Sequence, residues 1–94
     1  QKLHRKVTGY VSAKAQAKMM DALIGELTEE EESIYRRGRN SKPYTKAKNA
    51  SMEEYLKATG FEALMGYLYL TEQFDRIAEL LGKGLEQMGE LISL

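Results

Sequence analysis

The sequence predicts an all-α fold, and three observations carry that prediction. Ala, Leu, Met, Glu and Lys dominate the 94 residues while proline occurs once, a composition that favours helix over strand. Two segments, Thr28-Glu29-Glu30-Glu31 and Ser51-Met52-Glu53-Glu54, match the capping box, in which a hydroxyl and a glutamate three residues on satisfy each other's backbone N–H groups. Apolar residues recur at three- and four-residue spacing, the period of a helix with one buried face. The length suits one compact domain around a single core, so residues 1–94 are read as one helical domain.

The first helix is expected from about Thr8 to Gly25. Val11, Ala15, Lys18, Met19, Ala22 and Leu23 form a partly apolar stripe, and Gly25 suits a left-handed cap. The Thr28 box opens a second helix over 29 to about 37, with acids at its positive end and Arg36, Arg37 and Arg39 at its negative end. It is expected to stop at Gly38. Asn40 to Asn49, with Pro43 and no apolar period, reads as a loop. The Ser51 box starts a long helix that runs past Gly60 to about Leu70. Phe74, Ile77, Leu80, Leu81, Leu85, Met88, Leu91 and Ile92 then mark a final amphipathic helix. Gly82, Gly84 and Gly89 are expected to weaken it by about 1 kcal/mol each relative to alanine.

Composition excludes several chemistries. With no cysteine there are no disulfides, thiol nucleophiles or cysteine-ligated metals, and His4 is the only histidine, better placed as a surface or helix-end residue than as a ligand. No stretch approaches the roughly 18 apolar residues of a membrane span, and no leader is evident, so a cytoplasmic protein with no membrane partner is expected. The net charge of zero conceals a division: residues 1–50 carry eleven Lys and Arg against six Asp and Glu, whereas residues 51–94 carry three against eight. Arg36, Arg37, Arg39, Lys42, Lys46 and Lys48 place six cations within thirteen residues with no acid among them. Such a run is either a solvated face or a contact for a polyanion, and the arginines favour phosphate because the planar fork fits it.

Phe61 to Leu70 is apolar on nearly every side of the helical wheel and is expected at the centre of the fold. Glu62 is its only charge. A lone carboxylate there must be ion-paired, solvated in a cleft or bound to a cation, and Thr59 and Gly66 on the same face leave room for water or an ion. Two readings follow: an internal ion pair, or a ligand for a hard divalent ion such as magnesium, which takes one or two carboxylates and keeps water in its other positions. Tyr55, Tyr67 and Tyr69 are expected in the core or an interface, since no basic-aromatic alternation marks a stacking platform.

The ordered segments Val11-Ser12-Ala13-Lys14-Ala15-Gln16-Ala17, Leu27-Thr28-Glu29-Glu30-Glu31, Arg36-Arg37-Gly38-Arg39-Asn40, Lys48-Asn49-Ala50 and Ala58-Thr59-Gly60-Phe61-Glu62-Ala63-Leu64-Met65-Gly66-Tyr67-Leu68-Tyr69-Leu70 resemble Mini-ribonuclease III, from about Leu3 to Asp75. The resemblance implies the helical catalytic domain of ribonuclease III without a separate double-stranded-RNA-binding domain. It further implies a cytoplasmic homodimer that uses magnesium, or manganese, to cleave double-stranded or structured RNA, notably in ribosomal RNA precursor maturation. Glu62 would be the catalytic, metal-binding glutamate of the F-E-A-L motif, and Arg36, Arg37, Arg39, Lys46 and Lys48 would face the RNA. Thr59 stands where larger ribonuclease III enzymes carry an aspartate. The family's signature helix, whose Gly-Asp-Ala core supplies a catalytic aspartate, has no counterpart in these residues, and neither Asp21 nor Asp75 replaces it. The chain is therefore expected to be the C-terminal two-thirds of such a domain and not to cleave RNA by itself. The alternative is a non-catalytic helical RNA-binding or protein-interaction module with Glu62 as an ion-pair partner.

Overall fold

The structure, a computed structural model, describes residues 13–41 and 51–91. These form four α-helices and a short 3-10 turn: α1 (Ala13–Leu23), the turn (Ile24–Glu26), α2 (Glu29–Ser41), α3 (Met52–Leu70) and α4 (Phe74–Leu91). No strand occurs among the described residues, and no helix among them is long and apolar enough to cross a membrane. His4 and the loop cations Lys42, Lys46 and Lys48 lie outside the described residues.

Gly25 does not take the left-handed cap expected of it; no described glycine has a positive φ. The chain instead tightens through the 3-10 turn and leaves it extended at Leu27 (φ −82°, ψ 145°), which feeds directly into the Thr28 box. There Thr28 N–H donates to Glu31 Oε1 at 2.9 Å and Glu31 N–H donates to Thr28 Oγ1 at 3.1 Å, so two N-terminal donors of α2 are satisfied reciprocally.

The expected stop of α2 at Gly38 is corrected. The helix continues to Ser41, taking in Asn40 and Ser41 from the segment read as loop, and the Ser41 hydroxyl donates to the Gly38 carbonyl at 2.9 Å. Gly38 is buried because α2 crosses α3 there. A Cβ at Gly38 would overlap that of Ala63, and one at Gly60 would fall 2.6 Å from two ring carbons of Tyr35 and 2.8 Å from its carbonyl oxygen. Glycine costs a helix interior about 1 kcal/mol relative to alanine, but the packing that follows from a closer crossing outweighs it.

Helix α3 begins on the Ser51 box, with Ser51 N–H donating to Glu54 Oε1 at 3.0 Å and Glu54 N–H donating to Ser51 Oγ at 3.1 Å. It packs against the three other helices, as its all-round apolar surface requires. Met20 and Leu23 of α1, Tyr35 of α2, Phe61, Leu64 and Leu68 of α3 and Leu80 of α4 form the buried core. After Leu70 the chain reverses. Glu72 N–H bonds to the Tyr69 carbonyl at 3.0 Å and Gln73 N–H to the Leu68 carbonyl at 2.8 Å, a Schellman arrangement with Glu72 at φ 59°. Gly84 of α4, read from sequence as a weakening residue, is buried where α4 meets α1, and a Cβ there would overlap Met19 Sδ.

These contacts separate the glycines by consequence. Gly38→Ala should lower the unfolding free energy by about 1–3 kcal/mol, since Ala63 is fixed to the α3 backbone and cannot yield without moving the helix. Gly66→Ala, with nothing within 4 Å of the added methyl, should raise it by about 0.5–1 kcal/mol. Urea denaturation of both variants checks the pair, and a Gly38→Ala protein as stable as the parent would rule out the close crossing.

Candidate functional site

Phe61, Leu64 and Leu68 turn inward from α3, and Glu62, one residue and about 100° further round, turns outward to solvent. It stands between two concavities. One is a hollow of about 220 Å³ between α1 and the first half of α3, lined by Ala13, Gln16, Tyr55, Ala58, Thr59 and Glu62. The other is an apolar groove of about 760 Å³ where α1, α3 and α4 meet, with Met19, Phe61, Met65, Ile77 and Leu81 in its walls and Glu62 on its lining. The Thr59 hydroxyl donates to the Tyr55 carbonyl at 2.9 Å, and Gly66 is open on its outer side, so neither crowds the carboxylate. An exposed hard-oxygen group beside open volume fits one ligand of a divalent ion that keeps water in its other positions. No group of three His, Cys, Asp or Glu side chains gathers among the described residues.

A buried ion pair forms at Glu31. Glu31 is 5% exposed, and Arg76 of α4 donates from Nε to Oε2 and from Nη2 to Oε1, both at 2.8 Å. Arg76 Nη2 also donates to the Glu26 carbonyl at 2.8 Å, and Nη1 lies 3.1 Å from Glu79. The Arg76 hydrogen bonds hold the Glu31 carboxyl below its ordinary range against the opposing effect of burial. Sequence reasoning assigned Glu31 only to the cap and passed over Arg76. The available signal was that Arg76 is the one arginine in the acidic half of the chain.

The three described arginines of the basic run do not form one surface. Arg36 is 63% exposed in its side chain and pairs with Glu32 at 2.7 Å; Arg37 is exposed, and both line a shallow hollow on the outer face of α2 with Ser33 and Asn40. Arg39 continues the inward stripe of Glu31, Tyr35 and Gly38. It is half-buried, and its Nε is enclosed with no hydrogen-bond acceptor among the described residues, an arrangement that costs about 1–3 kcal/mol. Tyr35 is 5% exposed; burial pushes its phenol up, and the charge of Arg39 beside it opposes that shift. Of the other tyrosines, Tyr55 and Tyr67 are half-buried, the latter donating its hydroxyl to Glu30. Tyr69 is not in the core: it is 63% exposed and meets Phe74 edge-on, with centroids 5.7 Å apart.

Comparison with known proteins adds the family. The Ribonuclease III domain model matches residues 1–73. A Mini-ribonuclease 3 of Enterococcus faecalis is 58% identical over 90 residues, covering 94% of this chain and 68% of the relative. A Mini-ribonuclease 3 of Streptococcus pneumoniae is 54% identical over 81 residues, covering 84% of this chain and 63% of the relative. One from a Thermoanaerobacter species is 44% identical over 88 residues, covering 94% and 62%. The chain thus spans 62 to 68% of the length of these relatives.

The two glutamates should respond oppositely to loss of charge. Glu31→Gln should lower the unfolding free energy at pH 7 by about 2 kcal/mol, because it leaves Arg76 partly buried without its main partner. Glu62→Gln should stay within about 0.5 kcal/mol of the parent. Since the folded Glu31 carboxyl is depressed, its contribution is present above the ordinary value of 4.5 and lost as pH falls through the lower folded value. The difference between parent and Glu31→Gln should therefore shrink in strong acid. Urea titrations at pH 7 and at successively lower pH test this, and equal losses from both variants would contradict the assignment.

Proposed function

Because the chain belongs to the ribonuclease III family, in its Mini-ribonuclease III branch, we propose that it forms the greater part of a metal-dependent endoribonuclease unit acting on double-stranded or structured RNA. The observation that carries this reading is the placement of Glu62: next to the buried Phe61, α3 presents this carboxylate to solvent beside an open hollow. Glu31 and Arg76 form a buried ion pair elsewhere in the fold.

In this reading Glu62 is the catalytic, metal-holding residue, with magnesium as the working ion and manganese as a substitute. When bound, such an ion supplies a water activated at neutral pH and positive charge beside the scissile phosphate. The chain's own contribution is to hold Glu62 in place through Phe61 and Leu64 and to fix the duplex by its backbone. Arg36, Arg37, Arg39, Lys46 and Lys48 are the proposed RNA contacts; they neutralise phosphates without reading sequence, as suits an A-form duplex recognised by shape. A homodimer in the cytoplasm that matures ribosomal RNA precursors completes the proposal. One observation favours a second reading, an RNA-binding module without catalysis: no group of three His, Cys, Asp or Glu side chains gathers among the described residues.

Cleavage separates the two. In the protein that carries this chain, Glu62→Gln should reduce cleavage of duplex RNA by about a hundredfold or more while leaving RNA affinity and thermal stability near the parent's, since the amide keeps the shape and loses the anionic oxygen. Unchanged cleavage would sink the enzyme reading at this residue. For the loop, Lys46→Ala and Lys48→Ala should each weaken binding to all RNA duplexes alike and lower the salt dependence of log affinity by about one unit or less. An unaltered affinity and slope for both, measured by titration at several salt concentrations, would leave these lysines as solvated charge.

A further inference from the structure

Among the described residues, Gln16 and Glu62 alone line both concavities beside α3, so the two stand on one ridge, Glu62 on α3 and the half-buried Gln16 on α1. The two sides of that ridge differ in chemistry. The larger groove is walled by Met19, Phe61, Met65, Ile77 and Leu81, which offer nothing to a polar backbone. The smaller hollow, of about 220 Å³, sets Gln16, Tyr55 and Thr59 between Ala13 and Ala58. Positions 55, 59 and 62 follow one another at four- and three-residue spacing and so share one face of α3. The small side chains at 13 and 58 make the recess, and the polar ones furnish it.

Charge decides what the hollow can take. Among the described residues no lysine or arginine lines it, and Glu62 is an acid, so a bare phosphate is repelled there. Lys57 of α3 is engaged elsewhere, with Asp21 at 2.8 Å and Glu53 at 3.4 Å. What remains complementary is a neutral group that both donates and accepts hydrogen bonds. A glutamine amide carries two donors and an acceptor, and tyrosine and threonine hydroxyls each do both, so a group engaged on one side can still meet a hydroxyl on another. Thr59, for one, donates to the Tyr55 carbonyl at 2.9 Å and keeps its acceptor lone pairs. Size agrees: at about 30 Å³ per water, the hollow has room for a few waters or one five-membered sugar ring, not for a base pair. An A-form duplex keeps its bases stacked and displays 2′-hydroxyls along its wide, shallow minor groove.

We propose that this hollow is a ribose subsite, in which the Gln16 amide hydrogen-bonds a 2′-hydroxyl of the duplex beside Glu62. The proposal rests on the reading of the chain as part of an RNA-binding unit and deepens it. Basic side chains neutralise the phosphates of any duplex, whereas Gln16 lets the protein tell RNA from DNA, since the 2′-hydroxyl is the group that separates them. The neutral edge of the sugar is also the part of the backbone that can approach the Glu62 carboxylate without an intervening cation.

The test is titration of the protein that carries this chain with two labelled duplexes of one sequence, one of RNA and one with every 2′-hydroxyl replaced by fluorine, which keeps the A form and removes the hydroxyl. Working in EDTA keeps either duplex from being cut. The parent should prefer RNA by about fivefold or more, the size expected of one hydrogen bond. Gln16→Met keeps the length and bulk of the side chain and loses the amide. It should lose about fivefold on RNA and nothing on the fluorinated duplex, with a Tm near the parent's, so that the preference shrinks by the same factor. Gln16→Ala should do likewise, while Arg37→Ala should weaken both duplexes alike. Equal losses on the two duplexes from the Gln16 variants, or an undiminished preference for RNA, would overturn the ribose subsite and leave RNA binding standing. A parent that binds neither duplex would remove the RNA reading itself and the subsite with it.

Discussion

The close crossing of α2 and α3 is the constraint on which the rest of the molecule depends. Two helices carrying ordinary side chains keep their axes about 8–10 Å apart; here Gly38 and Gly60 remove the Cβ atoms that would hold them off, and the Tyr35 ring and carbonyl close onto the space left at Gly60. With α2 seated in this way, the inward stripe at positions 31, 35 and 38 is fixed, and every other side chain of the helix takes its bearing from it. Glu31 then reaches Arg76, Tyr35 lies beneath Arg39, and Arg36 and Arg37 are left on the outer face. A helix stopped at Gly38 would have left Arg39 off this face.

Charge is divided in a way that suits a site. A buried carboxylate without a partner costs several kcal/mol, and a buried pair is tolerated only with good geometry and its remaining hydrogen bonds made. Glu31 meets that demand: two 2.8 Å bonds from Arg76, one from its own cap, and a partner anchored further by Glu79 and the Glu26 carbonyl. This cluster ties the start of α2 to α4. Glu62, by contrast, lies on the most apolar helix of the chain yet reaches solvent, where a carboxylate keeps its charge at little cost. The stabilising acid and the candidate functional acid are thus different residues, and substitution at one leaves the chemistry of the other intact.

The parts legible from sequence were those set by local chemistry. Both capping boxes form as written, the Ser51 helix ends at Leu70, and the last helix begins at Phe74, because caps and apolar period act within one turn of the chain. Glu62 stood out for a similar reason, as one charge in a ten-residue apolar run. Gly38, read as a helix stop, and Gly84, read as a weak point, were misread because glycine also permits close packing, and only the partner helix shows that use. Arg76 as the counter-ion of Glu31 and Tyr35 as the neighbour of Arg39 were out of reach for a related reason. The first joins residues 45 positions apart, and the second needs knowledge of which face of α2 is buried. Lys46 and Lys48 remain sequence readings, since they lie outside the described residues.

The residues with the strongest claim to function share one placement: each is the immediate neighbour of a buried position. Glu62 follows Phe61, and Arg39 follows Gly38, both buried. One step along a helix turns a side chain by about 100°, enough to bring it from the core to the rim while its Cα stays fixed by the packed neighbour. A group so placed has a rigid base and a solvated tip, which is what binding an ion or a phosphate with little ordering cost requires. Arg37 also adjoins the buried Gly38, but it turns to the outer face of α2 and is exposed, whereas Arg39 is half-buried. The face on which Tyr35 and Gly38 are buried therefore decides which arginine of this helix lies against the core and which lies in solvent.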